Sequence, residues 1–202
     1  MPSARSAIFA SLAFVLALTL GLYAWHTAVM PHQPVASGTA LVGGPFELTN
    51  QDGKRVTDQD FRGRYMLVFF GYTYCPDVCP TTLQMMTEAL DKLGAQAANI
   101  QPIFISIDPE RDTPATLKAY VGNFSPRLVG LTGSAEDIAK VARAYRVAYS
   151  KLDSTDPKAY LMDHSSIIYL MGPDGGFVKH FTYTTDVDKL AKELSTAAAG
   201  ST

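Results

Sequence analysis

The run Tyr-Met-Leu-Val-Phe-Phe-Gly at residues 65–71 carries no charge and no alternation of polar with apolar side chains. Its length suits a strand buried on both faces, which needs elements packed on either side of it. Thr81–Leu93 supplies a helix: Leu83, Met86, Leu90 and Leu93 fall at spacings of 3, 4 and 3, and Gly94 stops it. Residues 100–108, IQPIFISID, read as a second buried strand. The 202 residues hold one domain of ordinary size with a little left over. An apolar fraction of 47 % with 18 % charged residues excludes a mostly disordered chain. A net charge of −2 gives no basic character for nucleic acid, which is not an expected partner.

The remaining elements follow from turn and cap signals. FELTNQDGKRVT reads as a hairpin around Asp52-Gly53. Pro114–Phe124 reads as a helix, with Asp112 as its cap. Leu128–Leu131 is a short strand, and Ser134 to Asp137 is a capping box opening a helix with Ile138, Val141 and Tyr145 on one face. Residues 165–171 form a strand, turned at Pro173-Asp174-Gly175-Gly176 into a partner strand. Thr185 caps a last helix. Strands alternating with helices imply a parallel core sheet, and the closing hairpin adds antiparallel strands. The fold class is α/β, thioredoxin-like, with an N-terminal hairpin and an inserted helix–strand.

Ala7–Trp25 contains 19 residues without a charge, flanked by Arg5 before it and by no Lys or Arg until Lys54. As a helix it would span about 28 Å, close to bilayer thickness. The domains expected are a transmembrane anchor over 1–25, a Gly/Pro-rich tether over 26–44 and a folded domain over 45–202, with the N-terminus in the cytoplasm. A cleaved signal peptide is the competing reading.

Both cysteines lie in Tyr72-Thr-Tyr-Cys75-Pro-Asp-Val-Cys79-Pro80, between the first central strand and the first helix. The carboxyl edge of such a sheet is where α/β folds place their sites. Pro80 puts Cys79 at the helix N-terminus, where unpaired N–H groups and the helix dipole stabilise a thiolate, so both sulfurs are expected ready on one exposed loop. Three residues separate the cysteines, one more than in thioredoxins. Such a loop lets both sulfurs converge on one ion or close a redox disulfide. A structural disulfide across so small a ring would stabilise little.

Of four histidines, His26 and His32 lie in the tether and His180 on an exposed hairpin strand. His164 precedes the strand at 165–171, which in a thioredoxin-like fold faces the active-site loop, where thioredoxins carry a cis-proline. No proline occurs between Pro157 and Pro173. Cys75, Cys79 and His164 would give two sulfurs and one nitrogen, suited to Cu(I) and also to Cu(II). Zinc would want a fourth ligand from Asp77, Asp163 or solvent. A hydrogen-bonded structural histidine is the alternative.

GYTYCPDVCP, followed in order by FISIDPERDTP, FSPRLVGLTG, VARAYRV and DHSSIIYLMGPDG, resembles the SCO/SenC family of copper chaperones for cytochrome c oxidase. The resemblance covers Phe46 to Phe181. It implies a metallochaperone rather than an enzyme. Cys75, Cys79 and His164 would hold copper and deliver it to the binuclear copper site of oxidase subunit II, and Asp163 matches a position the family also holds acidic. A thiol–disulfide oxidoreductase keeping that subunit's cysteines reduced is the alternative function. Another copper carrier is the expected donor, and Asp77, Asp163 and Arg111 are candidates for supporting the site or docking the partner. For Arg111 the competing reading is a loop ordered by Asp112. The expected location is a bacterial inner membrane with the domain facing the periplasm; the single Arg before the uncharged run leaves no room for an Arg-rich transit peptide. A thiol peroxidase is disfavoured, because Cys75 lacks the upstream Pro and Thr of the PxxxTxxC pattern.

Overall fold

The structure is a computed structural model that describes residues 16–21, 42–156 and 159–199. The site lies in the compact unit Ala40–Thr202. In chain order the elements are β1 (Glu47–Asn50), β2 (Arg55–Thr57), β3 (Tyr65–Gly71), α1 (Val78–Leu93), β4 (Ile100–Ser106), α2 (Pro114–Val121), β5 (Val129–Thr132), α3 (Ala135–Ala144), β6 (Tyr149–Lys151), β7 (Met162–His164), β8 (Ile167–Met171), β9 (Phe177–Thr182) and α4 (Val187–Ala199). Seven strands form one sheet in the order β2-β1-β5-β4-β3-β8-β9. β3, β4 and β5 run parallel; β8 joins β3 antiparallel and β9 closes the hairpin. The expected α/β arrangement is present, with the hairpin β1–β2 turning through Gly53 at a φ of +79° that glycine takes without strain.

Every residue of β3 and β4 is buried, as a strand covered on both faces requires. Burying Leu67, Val68, Phe69 and Phe70 completely contributes about 1.5–3 kcal/mol for each side chain. α1 turns Leu83, Met86, Ala89 and Leu90 into this core and packs beside α4. The capping box at Ser134 is formed, with the hydroxyl accepting from Asp137 N–H at 3.1 Å.

Two caps differ from expectation. Thr113, not Asp112, caps α2: its hydroxyl accepts from Thr116 N–H at 3.2 Å. Asp186, not Thr185, serves α4, its carboxylate accepting from the Asp188 and Lys189 N–H groups. In each case the capping residue is adjacent to the one expected, and the displaced side chain bonds elsewhere. Thr185 takes the Thr182 N–H, and Asp112 turns inward to the site. The strand expected at 165–171 is β8, shorter at its start, and a further strand, β7, precedes it. β8 begins at Ile167, while β7 pairs with β6 in a separate two-stranded sheet.

The transmembrane reading of the N-terminus is not supported. Of the uncharged run only residues 16–21 are described, and they are helical. Among the described residues no helix is long and apolar enough to cross a membrane. The rest of the expected anchor and most of the tether lie outside the described residues, as do His26 and His32.

Candidate metal site

β3 carries the chain to the carboxyl edge of the parallel strands, and Gly71 ends it. A Cβ on Gly71 would stand 2.7 Å from Cys79 Sγ and 2.9 Å from Phe104 Cε2. Glycine therefore lets the Cys79 sulfur lie over the strand end. The loop then bends back, with Cys75 N–H donating to Tyr72 O at 3.2 Å. Cys79 occupies the first turn of α1 and is fully buried, whereas Cys75 is half-buried.

His164 arrives from the other side. β7 pairs with β6 in the register Tyr149 to His164, Ser150 to Asp163 and Lys151 to Met162. The imidazole stands edge-on to Phe69 and Tyr72, with ring centroids 6.2 and 5.9 Å away. Its Nδ1 lies 3.3 Å from Ser165 O, and Nε2 lies 3.4 Å from Cys79 Sγ. With Nδ1–H assigned to the carbonyl, Nε2 turns its lone pair to the sulfurs. The two Sγ atoms and one imidazole nitrogen all lie within 4.8 Å of one another.

The two thiols are unequal, and not in the expected sense. The Cys75 sulfur accepts from the Cys79 N–H at 3.3 Å, and its thiol is pushed down to about 4. The Cys79 side chain is the largest cause, and the backbone N–H groups of Cys79 and Asp77 act in the same direction against the opposing effect of burial. The Cys79 thiol is pushed far up, first by the neighbouring Cys75 sulfur and then by burial. The helix N-terminus thus serves Cys75, whose sulfur receives the N–H, rather than Cys79, which belongs to the helix. The expected pair of exposed, ready thiolates is one half-buried thiolate and one buried thiol.

Asp77 and Asp163 are both exposed, and neither belongs to the three-residue donor group. Asp77 accepts only a long bond, 3.4 Å, from Thr81 Oγ1, and Asp163 sits opposite Ser150. Arg111 packs inward. Its side chain is 13 % exposed, its Nε donates to Asp108 at 2.5 Å, and its guanidinium lies 3.6 Å from the Tyr160 ring centre and 4.6 Å from that of Tyr74. His180 is exposed on β9, stacked on Phe177.

Four residues around the site were not legible as such. Tyr72 Oη accepts from Met162 N–H at 3.2 Å, linking the cysteine loop to β7. Asp112, fully buried, accepts from Thr73 N–H at 3.0 Å, Thr73 Oγ1 at 2.6 Å and Ser106 Oγ at 2.6 Å. Asp108 and Tyr160 share a 2.6 Å hydrogen bond. The signal for the aspartates was their place after the second central strand, at the same sheet edge as the cysteines.

Two soft sulfurs and one imidazole nitrogen fit copper better than a four-coordinate structural zinc, because among the described residues no carboxylate completes the set. A model of the SCO1/SenC family matches residues 34–199. The chain is 45 % identical over 161 residues to the mitochondrial SCO1 homolog of Homo sapiens, covering 79 % of this chain and 54 % of that one. To the mitochondrial SCO1 homolog 1 of Arabidopsis thaliana it is 47 % identical over 156 residues, covering 77 % and 46 %. The chain thus spans about half the length of these curated relatives. Among solved structures it is similar to Bradyrhizobium japonicum ScoI with copper bound, at TM-score 0.72 and 49 % identity, covering 77 % of this chain and 99 % of that one. It is also similar to BsSco, a member of the Sco family of cytochrome c oxidase assembly proteins in which a disulfide switch was identified, at TM-score 0.62 and 28 % identity, covering 78 % and 94 %. These relatives correct the expected location: the two named curated relatives are mitochondrial, and no described helix is long and apolar enough to cross a membrane.

Proposed function

The chain belongs to the SCO1/SenC family, and on that premise we propose that it binds copper through Cys75, Cys79 and His164 and delivers it to the binuclear copper site of cytochrome c oxidase subunit II. The observation that carries this reading is the convergence of three donor atoms within 4.8 Å, from two separate parts of the chain. The folded domain we assign to this work is 45–202. Cys75, already a thiolate and partly accessible, captures the ion; Cys79 joins on losing its proton, and His164 closes the set. A set of three ligands leaves an open position through which an acceptor's ligands exchange during docking.

The test is an anaerobic Cu(I) titration of the reduced full chain against a competing chelator, repeated with His164→Ala, followed by transfer to copper-free subunit II. One tightly held ion, weakened at least about tenfold without the imidazole and passed to the subunit, is expected. Binding indifferent to His164 would remove it from the ligand set, and retention of copper in the presence of the subunit would end the delivery reading.

A second reading rests on the inequality of the thiols. The Cys75 thiolate would attack a disulfide of the subunit, forming a mixed disulfide and releasing one partner thiolate. Cys79, losing its proton, would then displace the second, leaving a Cys75–Cys79 disulfide and a reduced partner. Two electrons pass to the partner, and a measured exchange rate with oxidised subunit II decides whether this occurs.

A further inference from the structure

The five-residue turn Asp108-Pro-Glu-Arg-Asp112 touches both segments that carry the donor set, the cysteine loop and the ribbon of His164, without contributing a ligand. At one end, Asp112 holds the cysteine loop through both the backbone and the hydroxyl of Thr73, two residues before Cys75. Its remaining contact, from Ser106 Oγ, ties it to the end of β4, and Ser106 Oγ in turn accepts from Asp108 N–H at 3.0 Å. At the other end, Asp108 accepts from Tyr160 Oη at 2.6 Å and from Arg111 Nε at 2.5 Å, filling both carboxylate oxygens. Arg111 Nη1 donates to Tyr160 O at 2.9 Å, and its guanidinium covers the Tyr160 ring. Glu110 binds Lys151 at 2.6 Å, and the Lys151 ammonium lies 4.5 Å from the same ring centre.

Every one of these grips on the histidine side falls on the ribbon that carries His164. Lys151 ends β6, and Tyr160 lies four residues before His164. That ribbon is outside the main sheet, so its three-residue strands do not fix its position. Asp108, Asp112 and Tyr160 are buried, at 1, 0 and 6 % exposure, so breaking one of these bonds would leave a polar group without water. We propose that this turn sets the distance between the sulfurs and the imidazole, with Tyr160 as the positioning residue for His164 and Asp112 as the positioning residue for the cysteine loop. The inference rests on the copper reading above, because the quantity being positioned is the ligand set.

The test is the same Cu(I) competition titration on the full chain, with Tyr160→Phe made in the native background and in His164→Ala. Phenylalanine keeps the ring under Arg111 and removes only the hydroxyl. A positioning role predicts about tenfold weaker binding in the native background, the size typical of groups that orient metal ligands, and less than about twofold in His164→Ala. Asp112→Asn acts on the sulfurs and is expected to weaken binding in both backgrounds. Equal losses from Tyr160→Phe in both backgrounds would mean general loosening and overturn the proposal, as would no loss in either. Failure of the copper reading is distinguishable: there His164→Ala alone would leave binding unchanged. Where Tyr160→Phe lowers folded yield, nitrogen hyperfine coupling from His164 in the Cu(II) form of the folded fraction gives the same decision. Weakened coupling supports positioning, and native coupling overturns it.

Discussion

The cysteine loop leaves the end of a strand whose seven residues are all buried, whereas His164 stands on a three-residue strand outside the main sheet. On the cysteine side, position follows from the core: β3 fixes Gly71, Gly71 admits the Cys79 sulfur, and the first turn of α1 supplies the N–H that holds Cys75. On the histidine side, position follows from side chains: Tyr72, Tyr160, Arg111 and Glu110 tie the ribbon down. Perturbing the first side should cost stability together with metal binding. Perturbing the second should cost metal binding with a smaller loss of stability.

The largest effect is expected from Gly71→Ala. Its methyl meets the Cys79 sulfur and the Phe104 ring, both fully buried. Overpacking of this kind costs about 3 kcal/mol, measurable by urea denaturation, and Cu(I) affinity should fall in parallel. A stable Gly71→Ala protein with native affinity would dissolve the distinction between the two sides.

A pH series sharpens the asymmetry within the cysteine side. The folded thiol of Cys75 lies near 4, far below the ordinary thiol value of about 8.5. Its contribution to stability is therefore complete above that ordinary value and is lost as pH falls through 4. The stability difference between the reduced protein and Cys75→Ser should grow as pH rises through this window. Iodoacetamide at neutral pH should label Cys75 and spare buried Cys79, as mass spectrometry of the peptides will show. Equal labelling would contradict the assignment. The smallest effect is expected from His164→Ala on stability. The half-buried ring makes two edge contacts, so its loss should cost about 1 kcal/mol in the copper-free protein.

The same comparison explains what the sequence reveals. The cysteine side is local: a buried strand, two cysteines, a proline and an amphipathic helix follow one another within 65–93, and each announces itself by pattern. Its geometry was legible, but its protonation was not, because which sulfur receives the helix N–H depends on the turn of the loop. The histidine side is assembled from residues 72, 108–112, 149–151 and 160–164. Three-residue strands carry no readable periodicity, so β6 and β7 leave no pattern in the sequence. Asp112 before Thr-Pro resembled a helix cap by type and position, and only the fold shows it turned inward to Thr73. The family resemblance supplied His164 where local pattern left a structural histidine open.

X-ray absorption at the copper edge, on the reduced full chain loaded with one equivalent of Cu(I), tests the central claim most directly. The convergence of Cys75, Cys79 and His164 predicts two sulfur scatterers and one imidazole nitrogen, with the nitrogen lost in His164→Ala. A shell of sulfur alone, unchanged by that substitution, would contradict it.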